Sequence, residues 1–102
     1  MTDTDKTLKG LLSEDKPTLV VFYRADCAKK EEQGKVLDDL ASDFRDRANI
    51  YRIDGTANQD LMKEYKVGAY PTFILFKDGQ EAWRDTGHKP YSELADMIRR
   101  FI

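Results

Sequence analysis

The alternation of hydrophobic and polar positions along the chain predicts four helices and four strands. Apolar residues recur at helical spacing in four segments, which predicts helices over residues 4–12, 27–45, 59–66 and from 91 onward. Runs rich in β-branched and aromatic residues predict strands over residues 18–23, 49–54, 72–76 and 80–86. The first run, TLVVFY, has almost no polar interruption, which is typical of a central strand that is buried on both faces.

The predicted order of elements is α-β-α-β-α-β-β-α, and this order restricts the topology. The first two strands are joined through a helix, so they are predicted to be parallel with a right-handed crossover. The dipeptide Asp78-Gly79 predicts a tight hairpin between the last two strands. We therefore expect an α/β fold, in which helices cover both faces of a four-stranded mixed sheet.

Length and composition indicate one globular domain spanning residues 1–102. Basic and acidic residues nearly balance (17 against 19, formal net charge −2), which argues against a nucleic acid or an anionic membrane as the main partner. The N-terminus lacks the apolar stretch of a secretory signal, and the apolar runs are too short to cross a bilayer. We expect a cytoplasmic protein that is a monomer or a weak dimer.

The chain has a single cysteine, Cys27, which excludes an internal disulfide. In the cytoplasm its thiol is expected to be reduced at rest. No cluster of cysteine and histidine residues has the spacing of metal ligands, and no phosphate-binding glycine loop is present. The sequence therefore implies neither a metal nor another cofactor.

Three segments of the sequence resemble the thioredoxin family. LVVFYRADCAKK resembles the strand and active-site segment that ends in W-C-G-P-C-K, and NIYRID resembles the strand that follows. YKVGAYPTFILFKDGQ resembles the stretch of the type Y-x-V-x-x-x-P-T-x-x-x-F-K-x-G. The likeness covers residues 16–102. It implies a thioredoxin-like fold in which the N-terminal strand of many members is missing.

The resemblance also implies a site that has kept only part of the family's machinery. Cys27 takes the place of the first, nucleophilic cysteine, and Lys30 stands where the second, resolving cysteine would be. Asp26 replaces the usual tryptophan, and Val21 replaces the buried aspartate that accepts a proton. Pro71 matches the cis-proline that faces the active site.

Charges around Cys27 indicate a reactive thiol. A predicted helix N-terminus and the cations Lys29 and Lys30 favour the thiolate, whereas Asp26 opposes it. Tyr70, directly before Pro71, is bulkier than the usual residue at that position. Two roles stay open for its ring: it crowds or stacks on a bound peptide, or it covers the thiol and closes the groove.

Two classes of function remain open. Lys30 cannot attack a mixed disulfide, so a self-sufficient dithiol cycle is excluded on chemical grounds. A monothiol oxidoreductase could act on a protein or peptide disulfide if an external thiol such as glutathione resolved the intermediate. Alternatively, the chain is a non-catalytic binding or adaptor module that uses the groove near Pro71, and Cys27 is then incidental.

Overall fold

The computed structural model describes residues 3–26 and 29–102. Its helices are α1 (Asp3–Leu12), α2 (Lys30–Asp43), α3 (Gln59–Glu64) and α4 (Tyr91–Arg99). Its strands are β1 (Thr18–Tyr23), β2 (Asn49–Asp54), β3 (Thr72–Lys77) and β4 (Gln80–Thr86). The order of elements predicted from the sequence is confirmed.

The strands form one mixed sheet in the order β2-β1-β3-β4. β1 and β2 are parallel, whereas β3 is antiparallel to both β1 and β4. The two central strands, β1 and β3, are those whose sequences are almost continuously apolar, because helices cover them on both faces. The predicted α/β fold is confirmed, and in the described part of the chain α1 rather than a strand precedes β1.

The turn between β3 and β4 has the backbone geometry that its sequence predicts. Asp78 has φ 55° and Gly79 has φ 77°, so both central residues lie in the left-handed region. A two-residue turn of this kind matches the right-handed twist of the paired strands, and glycine and aspartate tolerate it better than most residues.

Alternate residues of β1 enter two separate cores. Leu19 and Val21 face α2 and α4, where the core also contains Leu37, Leu40, Phe44, Phe73, Leu75, Leu94, Ala95 and Ile98. Val20 and Phe22 face α1 and α3, where the core also contains Leu8, Ile53, Leu61, Met62, Val67, Ile74 and Phe76. The sheet thus separates two apolar layers, and α2 covers the half in which Val21 lies.

Helix α2 is shorter than the periodicity predicts. Lys29 has φ 60°, which is incompatible with a right-handed helix, so the helix begins at Lys30. Its last residue is Asp43, and Phe44 leaves helical geometry while its N–H still bonds the carbonyl of Leu40. The predicted start at Cys27 lies outside the described residues.

Candidate functional site

The loop that contains Pro71 joins α3 to the central strand β3. Its Tyr70–Pro71 peptide bond is cis. The carbonyl of Pro71 accepts a hydrogen bond from the N–H of Gly87 at 3.0 Å, and the carbonyl of Ala69 accepts one from Thr72 Oγ1 at 2.6 Å. Among the described residues, the backbone N–H and C=O of Tyr70 have no partner. These two groups can therefore pair with an extended peptide.

The ring of Tyr70 packs against the loop that follows β2. A Cβ atom added to Gly55 would lie 2.4 Å from Tyr70 Cε1 and 2.9 Å from Met62 Sδ. The guanidinium of Arg24 lies 5.3 Å from the centre of the ring. The two roles predicted for Tyr70, contact with a bound peptide or cover of the thiol, did not involve Gly55. The ring fits here because Gly55 has no side chain.

Cys27 and Ala28 lie outside the described residues, so the surroundings of the thiol are known from its neighbours. Asp26 accepts a hydrogen bond from Arg24 Nε at 2.6 Å, and both side chains are exposed. The negative charge next to Cys27 is therefore paired with a cation. Lys29 and Lys30 follow on the other side and are both exposed.

A cavity of about 130 Å³, here called the α2 cavity, lies between α2 and the sheet. Its apolar lining comes from Val21, Leu37 and Pro71, and its basic lining from Lys30, Arg52 and His88; Tyr23, Gln33 and Gly34 complete it. The structure thus brings two predicted site residues, Lys30 and Pro71, to one cavity. Tyr70 instead lines a separate groove with Arg24 and Met62.

One wall of the α2 cavity is held by Gln33, which is buried. Gln33 Nε2 donates a hydrogen bond to the carbonyl of Lys89 at 2.9 Å, and the N–H of Lys89 donates to Gln33 Oε1 at 2.7 Å. This pair fixes the loop that carries His88 against α2. The sequence offered one signal for it, since Gln33 lies four residues before Leu37 and so shares its buried helix face.

The side chain of Lys89 is anchored by two carboxylates. Its ammonium lies 2.8 Å from Asp85 Oδ2 and 3.5 Å from Glu93 Oε2. The hydrogen bond from Lys89 lowers the pKa of the Asp85 carboxyl, and the same bond raises the pKa of Lys89. The connection between β4 and α4 is therefore held by charges as well as by Gln33.

A second wall of the α2 cavity is held by Arg52, on β2. Its Nη2 donates a hydrogen bond to the carbonyl of Gly34 at 3.0 Å and also contacts the carboxylate of Asp38. Its guanidinium thus bridges β2 and α2 at one end of the cavity. Arg52 could not be predicted from the sequence, because nothing in NIYRID indicates which helix its side chain meets.

Residues 3–26 and 29–102 contain no group of three or more histidine, cysteine, aspartate or glutamate side chains that could hold a metal ion. No helix within the same ranges is long and apolar enough to cross a bilayer.

Comparison with known proteins places the chain among thioredoxins. A family model described as Thioredoxin matches residues 1–100. A thioredoxin of Staphylococcus aureus is 32% identical over 84 residues, which are 82% of this chain and 81% of that protein. Thioredoxin Y2, chloroplastic, of Arabidopsis thaliana is 34% identical over 92 residues, which are 90% of this chain. The chain spans about half the length of the matching plant proteins, covering 51% of Thioredoxin Y1 and 55% of Thioredoxin Y2.

Solved structures agree with the family match. A mutant thioredoxin from Halobacterium salinarum NRC-1 superimposes with a TM-score of 0.86 at 28% identity, covering 94% of this chain and 83% of that one. Mitochondrial thioredoxin 3 from Saccharomyces cerevisiae, in its oxidized form, gives a TM-score of 0.82 at 25% identity, covering 93% and 88%. With this sheet order, this cis-proline loop and a family match along nearly its whole length, the chain belongs to the thioredoxin family.

Proposed function

We propose that this chain exchanges thiols and disulfides with Cys27 as its only attacking thiol, and that an external thiol such as glutathione completes the cycle. The observation that carries the proposal is the pattern of replacement in a thioredoxin-family chain. By the resemblance of its active-site segment to W-C-G-P-C-K, Cys27 corresponds to the nucleophile and Lys30 to the resolving cysteine. The chain contains no other thiol.

The proposed cycle conserves atoms and electrons with two external thiols. The thiolate of Cys27 attacks one sulfur of a partner disulfide, forms a mixed disulfide and releases the other sulfur as a thiol. A first external thiolate displaces the partner from Cys27, and a second releases Cys27 by forming an external disulfide. The partner disulfide gains two electrons, which the two external thiols lose.

Charges near Cys27 support the first step. Arg24 is paired with Asp26, which offsets the carboxylate directly before Cys27 that would disfavour a thiolate. Lys29 and Lys30 add positive charge directly after the cysteine. A thiolate, rather than a thiol, is the attacking species, and nearby cations favour it.

The loop at Pro71 supports recognition of a protein or peptide partner. The backbone N–H and C=O of Tyr70, which have no partner within residues 3–26 and 29–102, are suited to pair with an extended segment that carries the disulfide. The same observation favours the second candidate, a binding module that holds a peptide without exchanging a disulfide. In either case we propose a single-domain, cytoplasmic protein, monomeric or weakly dimeric, that needs no metal or cofactor.

A turnover assay distinguishes the two candidates. The reduction of a glutathionylated peptide by glutathione is measured with the wild-type chain and with Cys27→Ser, while binding of the same peptide is measured separately. We expect turnover by the wild type and only the uncatalysed rate with Cys27→Ser. An absence of wild-type turnover, together with equal peptide binding by both chains, would support the binding module and overturn the monothiol cycle.

A further inference from the structure

We propose that the α2 cavity binds the external thiol, and that the part of this thiol that enters the cavity is a short segment carrying a carboxylate. This inference rests on the proposed function, since it names the class of molecule that resolves the mixed disulfide. Its basis is the lining of the cavity, which combines an apolar floor with a cationic rim beside Pro71.

The size of the cavity limits the part of the ligand that lies inside it to a short chain. Its volume is about 130 Å³. An engineered apolar cavity of roughly 150 Å³ in another protein holds benzene, so a volume of this order accommodates about six non-hydrogen atoms. A thiol, a two-carbon chain and a carboxylate, as in 3-mercaptopropionate, have about that size.

The floor of the cavity suits the carbon chain of such a ligand rather than its charge. Val21, Leu37 and Pro71 offer apolar contacts, and Val21 and Leu37 are almost completely buried. Burial of methylene groups on this floor is favourable, at about 25 cal/mol per Å² of apolar surface. A charged group on the floor would lose its hydration without gaining a partner.

The rim of the cavity suits an anion. Lys30, Arg52 and His88 line it, and none of the described lining residues carries a carboxylate. Arg52 already contacts Asp38, which lies outside the cavity. The ammonium of Lys30 lies 5.7 Å from the centre of the Tyr23 ring. Lys30 is therefore the cation best placed to take a ligand carboxylate.

Acidic residues close to Lys30 face a different groove. Lys30 also borders a neighbouring groove, which Lys29, Glu31 and Glu32 line with it, but neither glutamate lines the α2 cavity. Within the described ranges, neither glutamate forms an ion pair with Lys30. The charge of Lys30 is consequently available to a ligand on the cavity side.

The walls of the cavity are held in place before any ligand arrives. The paired hydrogen bonds between Gln33 and Lys89 fix the loop that carries His88, and the bond from Arg52 to Gly34 fixes β2 against α2. A site with fixed walls loses little conformational freedom when a small molecule binds. The cavity is therefore suited to selecting one class of thiol.

A kinetic comparison of three thiols tests the inference. The preformed mixed disulfide of the wild type is resolved with one of three thiols at equal concentrations of thiolate. Apart from the thiol, 3-mercaptopropionate is anionic, 2-mercaptoethanol is neutral and cysteamine is cationic. We expect 3-mercaptopropionate, the anionic thiol, to react at least about tenfold faster than cysteamine, the cationic one. Lys30→Gln should remove most of that preference, whereas Lys35→Gln, an exposed change on the same helix outside the cavity, should keep it.

A binding measurement separates failure of this inference from failure of the proposed function. The methyl resonances of Val21 and Leu37 in Cys27→Ser are followed by NMR during titration with 3-(methylthio)propionate, which has no free thiol. We expect saturable shifts that weaken with Lys30→Gln and persist with Lys35→Gln. Binding without any exchange by the wild type would overturn the proposed function alone. The opposite outcome is exchange that shows no preference for the charge of the thiol, together with no shift of the methyl resonances. That result would overturn the assignment of the α2 cavity and leave the monothiol cycle standing.

Discussion

Gly55 and Tyr70 form a contact that depends on the absence of a side chain. A methyl group at Gly55 would lie 2.4 Å from Tyr70 Cε1 and 2.6 Å from its hydroxyl, so the ring must move. Gly55→Ala should therefore lower the free energy of unfolding by about 1–3 kcal/mol, as overpacked sites do. Chemical denaturation measures this change.

The control for Gly55 is Gly68, where an added Cβ would meet nothing within 4 Å. Gly68→Ala should change stability by no more than about 1 kcal/mol in either direction. Adding Tyr70→Ala to Gly55→Ala should cost less than the sum of the two single changes, because the clash with the ring is then gone and only the contact with Met62 Sδ remains. Equal effects of Gly55→Ala and Gly68→Ala would contradict the packing described for Tyr70.

In the proposed function, Lys30 is the residue that separates a monothiol from a dithiol cycle. Lys30→Cys should supply a resolving thiol, so that the oxidised variant forms an internal disulfide and releases a bound partner without an external thiol. Intact-mass spectrometry detects the disulfide as a loss of about 2 Da from the reduced chain, since two thiol hydrogens are removed. Lys35→Cys is the matched control, and a Lys30→Cys variant that stays trapped as a mixed disulfide would contradict the assignment of position 30.

Helix α2 and the connection between β4 and α4 are joined through Gln33. Gln33→Ala leaves the backbone N–H and C=O of Lys89 without their partner, which should cost about 1–3 kcal/mol of stability. The amide of Lys89 should also exchange its hydrogen faster with solvent. Gln59→Ala, at an exposed position, is the control. Equal effects of the two changes on stability and on exchange of the Lys89 amide would show that Gln33 does not join α2 to the connection between β4 and α4.

The ion pair between Asp85 and Lys89 stabilises the same connection in a pH-dependent way. The pKa of Asp85 in the folded chain lies below its ordinary value of 3.8, chiefly because of its hydrogen bond with Lys89. The stabilisation is therefore present above that ordinary value and is lost as the pH falls through the lowered pKa. Asp85→Asn should reduce stability at neutral pH, and the difference from the wild type should shrink as the pH falls below about 4.

The matched control for Asp85→Asn is Asp96→Asn, which affects an exposed ion pair with Arg99. Its effect should be smaller at neutral pH, because exposed pairs contribute about 0–1 kcal/mol. Thermal or chemical unfolding across the pH range measures both variants. A difference between Asp85→Asn and the wild type that stays constant down to about pH 2 would argue that the Asp85 carboxylate does not stabilise the fold.

The elements of this chain could be predicted from its sequence because their signals are local. TLVVFY, TFILF and Asp78-Gly79 each carry their own period or turn chemistry, and the strands and the hairpin follow from them. The start of α2 could not be predicted, since Lys29 adopts a left-handed backbone that no local pattern indicates. The predicted helix begins at residue 27 and therefore includes Lys29, which is not helical.

Residues of the candidate site could be predicted only where they belong to a segment that resembles a thioredoxin-family motif. Pro71 and Lys30 follow from the resemblance, and the structure brings both to the α2 cavity. Gln33 reaches Lys89 across 56 positions of sequence, and Arg52 reaches Gly34 across 18. Such pairs depend on how helices pack on the sheet, so they cannot be read from the spacing of residues along the chain.

In the molecule as a whole, the sheet order, the cis-proline loop and the family match are those of the thioredoxin family, and the function we propose is that the chain attacks disulfides with one thiol and then needs another molecule to release it. The most direct test adds a peptide disulfide to the reduced protein without external thiol and measures the intact mass. One partner should remain bound per chain through Cys27, and 3-mercaptopropionate should release it, whereas Cys27→Ser should bind none covalently. Failure of the wild type to form any covalent adduct, or an equal adduct on Cys27→Ser, would contradict the account.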